Sequence, residues 1–298
     1  MGMFKPCMAA LVAALLLVAP AASACATCAC GDPTLTSMGT EQPFAVRLRL
    51  AATLLAWALT TGEATRDAVS LRELRMDVAA SYAPLRWLFL SATLPLQARG
   101  VQDVSLAKER SWGPGDLEIS AKAYVFRDRE FSPDHLVSLL VGVELPTSPT
   151  VKDAQGRPLS LDAQLGTGSW DPLLGLAYTM FRGDWSFIAS ATGFLSTRGR
   201  MGFRAGAALR STVAAQYQPH PRWALRLAAD TRLEGASDTH GVRDPEGSGF
   251  IGFLSPDVLY SPATDVVVQL GVRAPVLNLL NEHVRPTPIV QAAVAYDL

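Results

Sequence analysis

Apolar and polar positions alternate with a period of two through most of the chain. Between Trp223 and Glu234, the positions Trp223, Leu225, Leu227, Ala229, Thr231 and Leu233 are largely apolar, while Arg226, Asp230, Arg232 and Glu234 fall between them. The same phase separates Leu117, Ile119, Ala121, Ala123 and Val125 from Asp116, Glu118, Ser120 and Lys122. Further along, Val266, Val268, Leu270 and Val272 alternate with Asp265, Gln269, Gly271 and Arg273. Successive side chains of a strand point to opposite faces, so each segment has one apolar and one polar face. The pattern predicts strands.

Segments of this kind recur at 44–59, 70–83, 86–98, 115–127, 136–147, 170–181, 184–196, 204–217, 222–234, 249–260, 264–275 and 287–298. Their connections alternate in length. Tight turns sit at Ala83-Pro84-Leu85-Arg86, Arg182-Gly183-Asp184, Gln218-Pro219-His220-Pro221 and Ser261-Pro262-Ala263-Thr264, with a slightly longer one at Arg127–His135. Longer loops span Thr60–Ser70, Arg99–Gly115, Ser148–Ser169, Thr197–Phe203, Gly235–Ser248 and Pro275–Pro286. A water-soluble sandwich needs no such asymmetry. A transmembrane β-barrel does, with short periplasmic turns at one rim, longer external loops at the other and an even strand number. Strands of about 9–14 residues also suit a tilted crossing of the hydrocarbon. The fold expected is all-β, a transmembrane antiparallel up-and-down barrel of about twelve strands.

Aromatic side chains gather beside the short turns. Tyr82 and Trp87 flank the first, Phe181 and Trp185 the third, Tyr217 and Trp223 the fourth; Tyr260 precedes the fifth, and Tyr296 lies two residues from the end. These eight are expected to form an interfacial girdle. The competing explanation is simple core packing next to turns.

Composition narrows the class further. The 298 residues are 49% hydrophobic and 18% charged, with 26 Lys+Arg against 27 Asp+Glu. That is too apolar for a disordered chain, and the near-zero net charge gives no reason to expect a nucleic-acid partner. The one long uncharged apolar stretch, Met8 to Ala24, follows Lys5 and ends in Ala22-Ser23-Ala24. It reads as a secretory signal peptide over 1–24. A periplasmic cysteine-containing segment is expected over 25–43 and the barrel over 44–298. Cys25, Cys28 and Cys30 lie within six residues of the new N-terminus. Three thiols so placed suit soft ligation of Cu(I) or Zn(II), or a disulfide with one cysteine free or lipidated. No other cofactor motif is present.

The lumen face would then carry the function. Placing the polar phase inward puts Glu73, Arg75, Asp77, Asp116, Glu118, Lys122, Glu144, Arg204, Arg210, Arg226, Asp230, Arg232, Asp265 and Arg273 inside. The opposite assignment would cost about 2–4 kcal/mol for each Arg or Lys near the bilayer midplane. These groups either pair into a lattice that stiffens a narrow barrel or line a polar route for small solutes. So many charges disfavour a purely hydrophobic tunnel.

Several fragments resemble one family. Ser111-Trp112-Gly113-Pro114-Gly115-Asp116-Leu117-Glu118-Ile119 is similar to its "GxGDL" strand opening. Val143-Glu144-Leu145-Pro146-Thr147 and Leu165-Gly166-Thr167-Gly168-Ser169-Trp170-Asp171-Pro172 resemble its "LPTG … GTGSxDP" stretch, although Ser148 replaces the glycine after Pro146-Thr147. Leu254-Ser255-Pro256 and Arg273-Ala274-Pro275-Val276 are similar to later signatures. Across roughly residues 100–298 the chain resembles the MetA-pathway of phenol degradation family of outer-membrane transporters. The resemblance implies outer-membrane location and a transport role, without fixing the solute.

Catalysis is the competing class. His135 and His220 fall in short turns and His240 and His283 in long loops, so no histidine stands on a strand face beside a serine as a triad needs. A channel or transporter is therefore expected rather than an enzyme, with a non-conducting structural or metal-handling barrel as the alternative. Expected partners are outer-membrane lipid, a small solute and the barrel-assembly machinery, which would read the C-terminal Tyr296-Asp297-Leu298.

Overall fold

The computed structural model describes residues 48–61, 69–102, 107–130, 133–245, 247–281 and 284–298. The signal peptide, the segment 25–43 with Cys25, Cys28 and Cys30, and His283 lie outside the described residues.

Strands run in chain order as β1 (Leu48–Thr61), β2 (Val69–Leu85), β3 (Leu88–Gln102), β4 (Lys108–Pro114), β5 (Leu117–Arg127), β6 (His135–Leu145), β7 (Asp171–Arg182), β8 (Trp185–Phe194), β9 (Phe203–Arg204), β10 (Ala208–His220), β11 (Trp223–Glu234), β12 (Ser237–Thr239), β13 (Val242–Asp244), β14 (Gly249–Ala263), β15 (Val266–Leu280), β16 (Arg285–Pro286) and β17 (Ile289–Asp297). Every pairing is antiparallel, and around the wall each long strand pairs with the next long strand of the chain until the sheet closes. There β1 takes β2 on one edge and β17 on the other, with Thr53 opposite both Asp77 and Ala293. Closure removes the sheet edges that a membrane cannot tolerate. The result is a closed antiparallel barrel of twelve strands.

One of the twelve is broken in two. The lower half of β3 pairs with β5 (Leu88 opposite Ala123) and its upper half with β4 (Leu96 opposite Pro114). The sequence pattern predicts a loop over 99–115; the structure folds its second half into β4. Pro114-Gly115 interrupts the ladder between β4 and β5. Pro lacks the N–H, and the Gly115 N–H donates to the Pro95 carbonyl at 2.7 Å. At the long-loop rim, β9, β12 and β13 form a separate three-stranded sheet.

The barrel is inside-out relative to a soluble protein. On β11, Leu225 and Leu227 are 52% and 51% exposed, whereas Arg226 between them is 4% exposed. On most of the wall the apolar phase faces outward, as lipid requires, and the polar phase faces the interior.

Candidate functional site

The inward phase of the wall builds three distinct zones. The first is a network of paired charges. On β2 and β3, Glu73 accepts from Arg99 Nε at 2.8 Å, and Arg75 Nε donates to Asp77 at 2.6 Å. On the opposite wall, Arg226 Nη2 lies 2.8 Å from Asp257 Oδ2, and Gln291 Nε2 donates to the other oxygen of the same carboxylate at 2.6 Å. Asp230 accepts from Thr212 at 2.7 Å and Ser255 at 2.5 Å, with Arg273 Nε 3.9 Å away. Arg232 pairs with Glu234 along its own strand. Near the short-turn end, Arg49 grips Asp297 through two bonds of 2.6 and 2.7 Å, which ties the first strand to the last. Charges removed from water need such partners, because a buried charge stripped of its partner would cost about 3–5 kcal/mol.

Between these two walls, register alone makes an acidic row. Glu118 stands directly opposite Glu144, and Glu144 directly opposite Asp171. Asp171 is held by the Thr197 N–H at 2.8 Å and the Ser169 hydroxyl at 2.9 Å. Arg75 and Arg210 lie close enough to act electrostatically on Glu144. The Arg210 guanidinium also lies 4.2 Å from the Phe194 ring centroid. Lys122 is on the inward phase of β5, one turn of the pleat from Ser120.

The second zone is a tethered loop. Residues 146–170 leave β6 and return to β7 along the inner wall of β2–β4. Arg99 Nη1 donates to the carbonyls of Gln164 at 2.5 Å and Asp162 at 3.2 Å. Ala163 and Leu159 pack against Leu71, Val101 and Val69 of β2 and β3. The Gln164 side chain closes the loop on itself, accepting from the Val151 N–H at 2.9 Å and donating to the Val151 and Leu159 carbonyls.

Asp116 fastens the base of this loop. Its carboxylate accepts from the Ser148 N–H at 2.8 Å and the Gly168 N–H at 2.9 Å. The family-like fragments therefore converge on one node in space. A Cβ on Gly166 would sit 2.2 Å from Asp116 Oδ2, so that position accepts no side chain. Gly168 has φ +65°, which glycine adopts without strain. Ser148, the departure from the family pattern, offers its hydroxyl to Arg200 Nη1 at 3.0 Å, and its carbonyl also accepts from Arg200.

The third zone is apolar. At the long-loop end, Leu55, Trp57 and Leu59 of β1 point inward with Ile251 and Phe253 of β14 and Ile289 of β17. Val284, from the connection after β15, is inserted among them, and Leu280 packs alongside. The Thr287 hydroxyl accepts from the Ala58 N–H at 3.0 Å and pins that connection to β1.

Several expectations need correction. Arg204 is exposed and belongs to the rim sheet, opposite Asp238, because the chain bends away before β10 begins at Ala208. Asp265 lies in the turn between β14 and β15, two residues short of the inward phase that starts at Val267. Asp116 sits at the break between β4 and β5 and is spent on loop amides rather than on the lumen. Phe181 shares the inward phase with Thr179; the exposed aromatic of β7 is Tyr178. The other girdle residues stand on the outward phase or in the turn at the short-turn end. Tyr82, Trp87, Trp185, Trp223 and Tyr296 are exposed, Trp185 stacks on Tyr217 at 4.8 Å, and Trp223 meets Tyr260 at 4.3 Å. Glu73, Arg75, Asp77, Glu118, Lys122, Glu144, Arg210, Arg226, Asp230, Arg232 and Arg273 occupy inward positions of the wall. Asp257, Arg99, Gln291 and the apolar zone were not anticipated.

Outside the membrane, two carboxyls are held below the usual carboxylate range. Asp128, in the short turn before β6, owes this first to the His135 backbone N–H, and Asp153, in the tethered loop, first to the Arg157 N–H.

A closed twelve-stranded wall with an apolar outer band, an ion-paired interior and short turns at one rim is a transmembrane barrel of the outer-membrane class. The chain belongs to the family described as "Putative MetA-pathway of phenol degradation", whose model matches residues 58–272. The structure of an outer membrane channel from Pseudomonas putida F1 is similar, with TM-score 0.68 and 14% identity over 90% of this chain and 100% of that one. The translocator domain of the autotransporter NalP from Neisseria meningitidis gives TM-score 0.48 and 11% identity over 88% and 92%. The toluene transporter TodX from P. putida gives 0.45 and 9% over 86% and 90%. No curated protein matches the sequence. Fold, lipid-facing band and family agree on the outer membrane as the location.

Proposed function

We propose that this protein is a channel for small solutes that carry both an apolar portion and a charged or polar group. The observation that carries the reading is the succession of zones along one lumen. At the long-loop end the inner wall carries an apolar vestibule of Leu55, Trp57, Phe253 and Ile289, packed shut around Val284, and elsewhere a section of mixed charge around Glu144, Arg75 and Arg210. A solute entering from outside would displace Val284 and lose water from its apolar part in its place, at about 25 cal/mol per Å². It would then exchange its polar contacts among groups already held by their neighbours.

Twelve strands enclose less space than the 16–18 of general porins, and the loop at 146–170 narrows the bore further, which favours small cargo. The aromatic residues at the short-turn end serve as the inner-interface girdle, and the barrel-assembly machinery is the partner that inserts the chain. Single-channel recording in planar bilayers tests the reading. Discrete conductance steps support it. A folded, inserted barrel that passes no current overturns it in favour of a structural barrel.

A further inference from the structure

On the outward phase of the wall, charge is concentrated at one place. Among the described strand residues between the aromatic belt and the long loops, only β2, β4 and β16 carry charged side chains toward the outside. Pairing puts them side by side. Arg72 is opposite Gly100, and Gly100 opposite Arg110; two residues nearer the loops, Ser70, Gln102 and Lys108 form the next row. Arg285 of β16 joins the upper row through Thr60. Two strand spacings separate Arg72 from Arg110, about 10 Å, and the glycine between them leaves a notch. A Cβ at Gly100 would meet nothing within 4 Å.

Directly below, in register with Leu74 and Ala98, stands Trp112, 86% exposed. A tryptophan under a row of arginines marks the level where hydrocarbon gives way to headgroups. Above, β4 has no strand on its second edge among the described residues, and the loop at 152–159 crosses it. A polar recess of about 590 Å³ results, lined by Lys108, Arg110, Lys152 and Arg157. Its two acids are already engaged, Glu109 by Ser160 and Asp153 by Arg157. The local excess is cationic.

We infer that Arg72, Arg110 and Lys108 form a binding site for the phosphate groups of an outer-leaflet lipid, a phosphorylated disaccharide of the lipid A type, with its acyl chains lying along Trp112 and Leu74. Long loops face the exterior in such barrels, so this row stands at the outer leaflet. Two guanidinium forks either side of an empty notch match the bidentate geometry of phosphate oxygens. The site would seat the barrel at a fixed depth and anchor the β3–β4 ladder, above the break between β4 and β5. It is independent of what passes through the lumen.

The test uses the full chain, folded in detergent as shown by heat-modifiable migration. It is titrated with bisphosphorylated lipid A, with the same lipid stripped of both phosphates, and with inorganic phosphate. The phosphorylated lipid should bind best. Arg72→Gln combined with Arg110→Gln should weaken it roughly tenfold to thirtyfold, given about 1 kcal/mol per basic group at a lipid surface. Gly100→Leu, which fills the notch and leaves every charge in place, should weaken it as well. Arg182→Gln, at the opposite rim, should not. Equal affinity for the two lipids, undiminished binding by the double variant and by Gly100→Leu, or inorganic phosphate binding as tightly as the lipid would each overturn the site.

Discussion

Arg226 and Asp257 meet at 2.8 Å inside the barrel with side chains 2% and 0% exposed, and Gln291 holds the carboxylate oxygen that the arginine does not. Three strands, β11, β14 and β17, converge on this one carboxylate. Removing it by Asp257→Ala takes the charged partner from a buried guanidinium, at a cost of about 3–5 kcal/mol. Replacing both partners, Arg226→Met with Asp257→Leu, removes the charge and the need for it together. The double variant is expected to unfold in urea closer to the wild type than the single one does, in vesicle-inserted protein followed by tryptophan fluorescence.

The loop over 146–170 depends on the charge of Asp116. Asp116→Asn keeps the shape but turns one acceptor oxygen into an NH2 donor, so one of the two bonds to the Ser148 and Gly168 amides is lost and the other weakened, a loss of about 1–3 kcal/mol. The barrel wall does not rely on these bonds. Limited proteolysis should cut the loop faster, about tenfold or more, while heat-modifiable migration stays unchanged. Loss of migration together with cleavage would mean that the node holds the wall itself.

The vestibule packs as a small core. Phe253→Ala empties a site shared by Trp57, Ile251 and Ile289 and should destabilise by about 3–5 kcal/mol. It also loosens Val284, so current through the variant should be larger and noisier than through the wild type in planar bilayers.

Asp128 and Asp153 respond to acid. Both carboxyls are depressed in the folded protein, so what they contribute is present above the unfolded carboxylate pKa, near 4, and lost as pH falls through the lower folded value. Amide hydrogen exchange at His135 and Arg157 should be steady from pH 7 to about 5 after correction for intrinsic rates, then lose protection toward pH 3. Asp128→Asn should abolish that change at His135 alone.

Alternation made the wall legible, because lipid outside and polar groups inside impose opposite chemistry on successive residues. Arg226, Asp230 and Arg232 could be placed from their spacing. Leu55, Trp57 and Leu59 could not, since β1 is apolar on both phases and period two disappears there. Arg99 was hidden at the edge of a presumed loop, because Pro114-Gly115 mimics a turn where the chain only kinks. Arg204 and Asp265 continue the polar phase past the true strand ends, where bends and turns take over. Phe181 shows the limit of proximity to a turn as evidence for a face: its parity, not its neighbourhood, aims it inward. The contacts that hold the loop at 146–170 join positions as distant as Asp116 and Gly168, which no local pattern encodes.

The most direct test of the account is solute flux into vesicles holding the reconstituted protein, using permanently charged probes that do not cross lipid. Benzyltrimethylammonium and benzenesulfonate carry an aromatic ring, whereas tetramethylammonium and methanesulfonate carry the same charges without it. The account predicts that at least one ring-bearing probe enters faster than its smaller counterpart, and that Phe253→Ser with Ile251→Ser removes this preference. Faster entry of both smaller ions, with no effect of the vestibule variant, would contradict it.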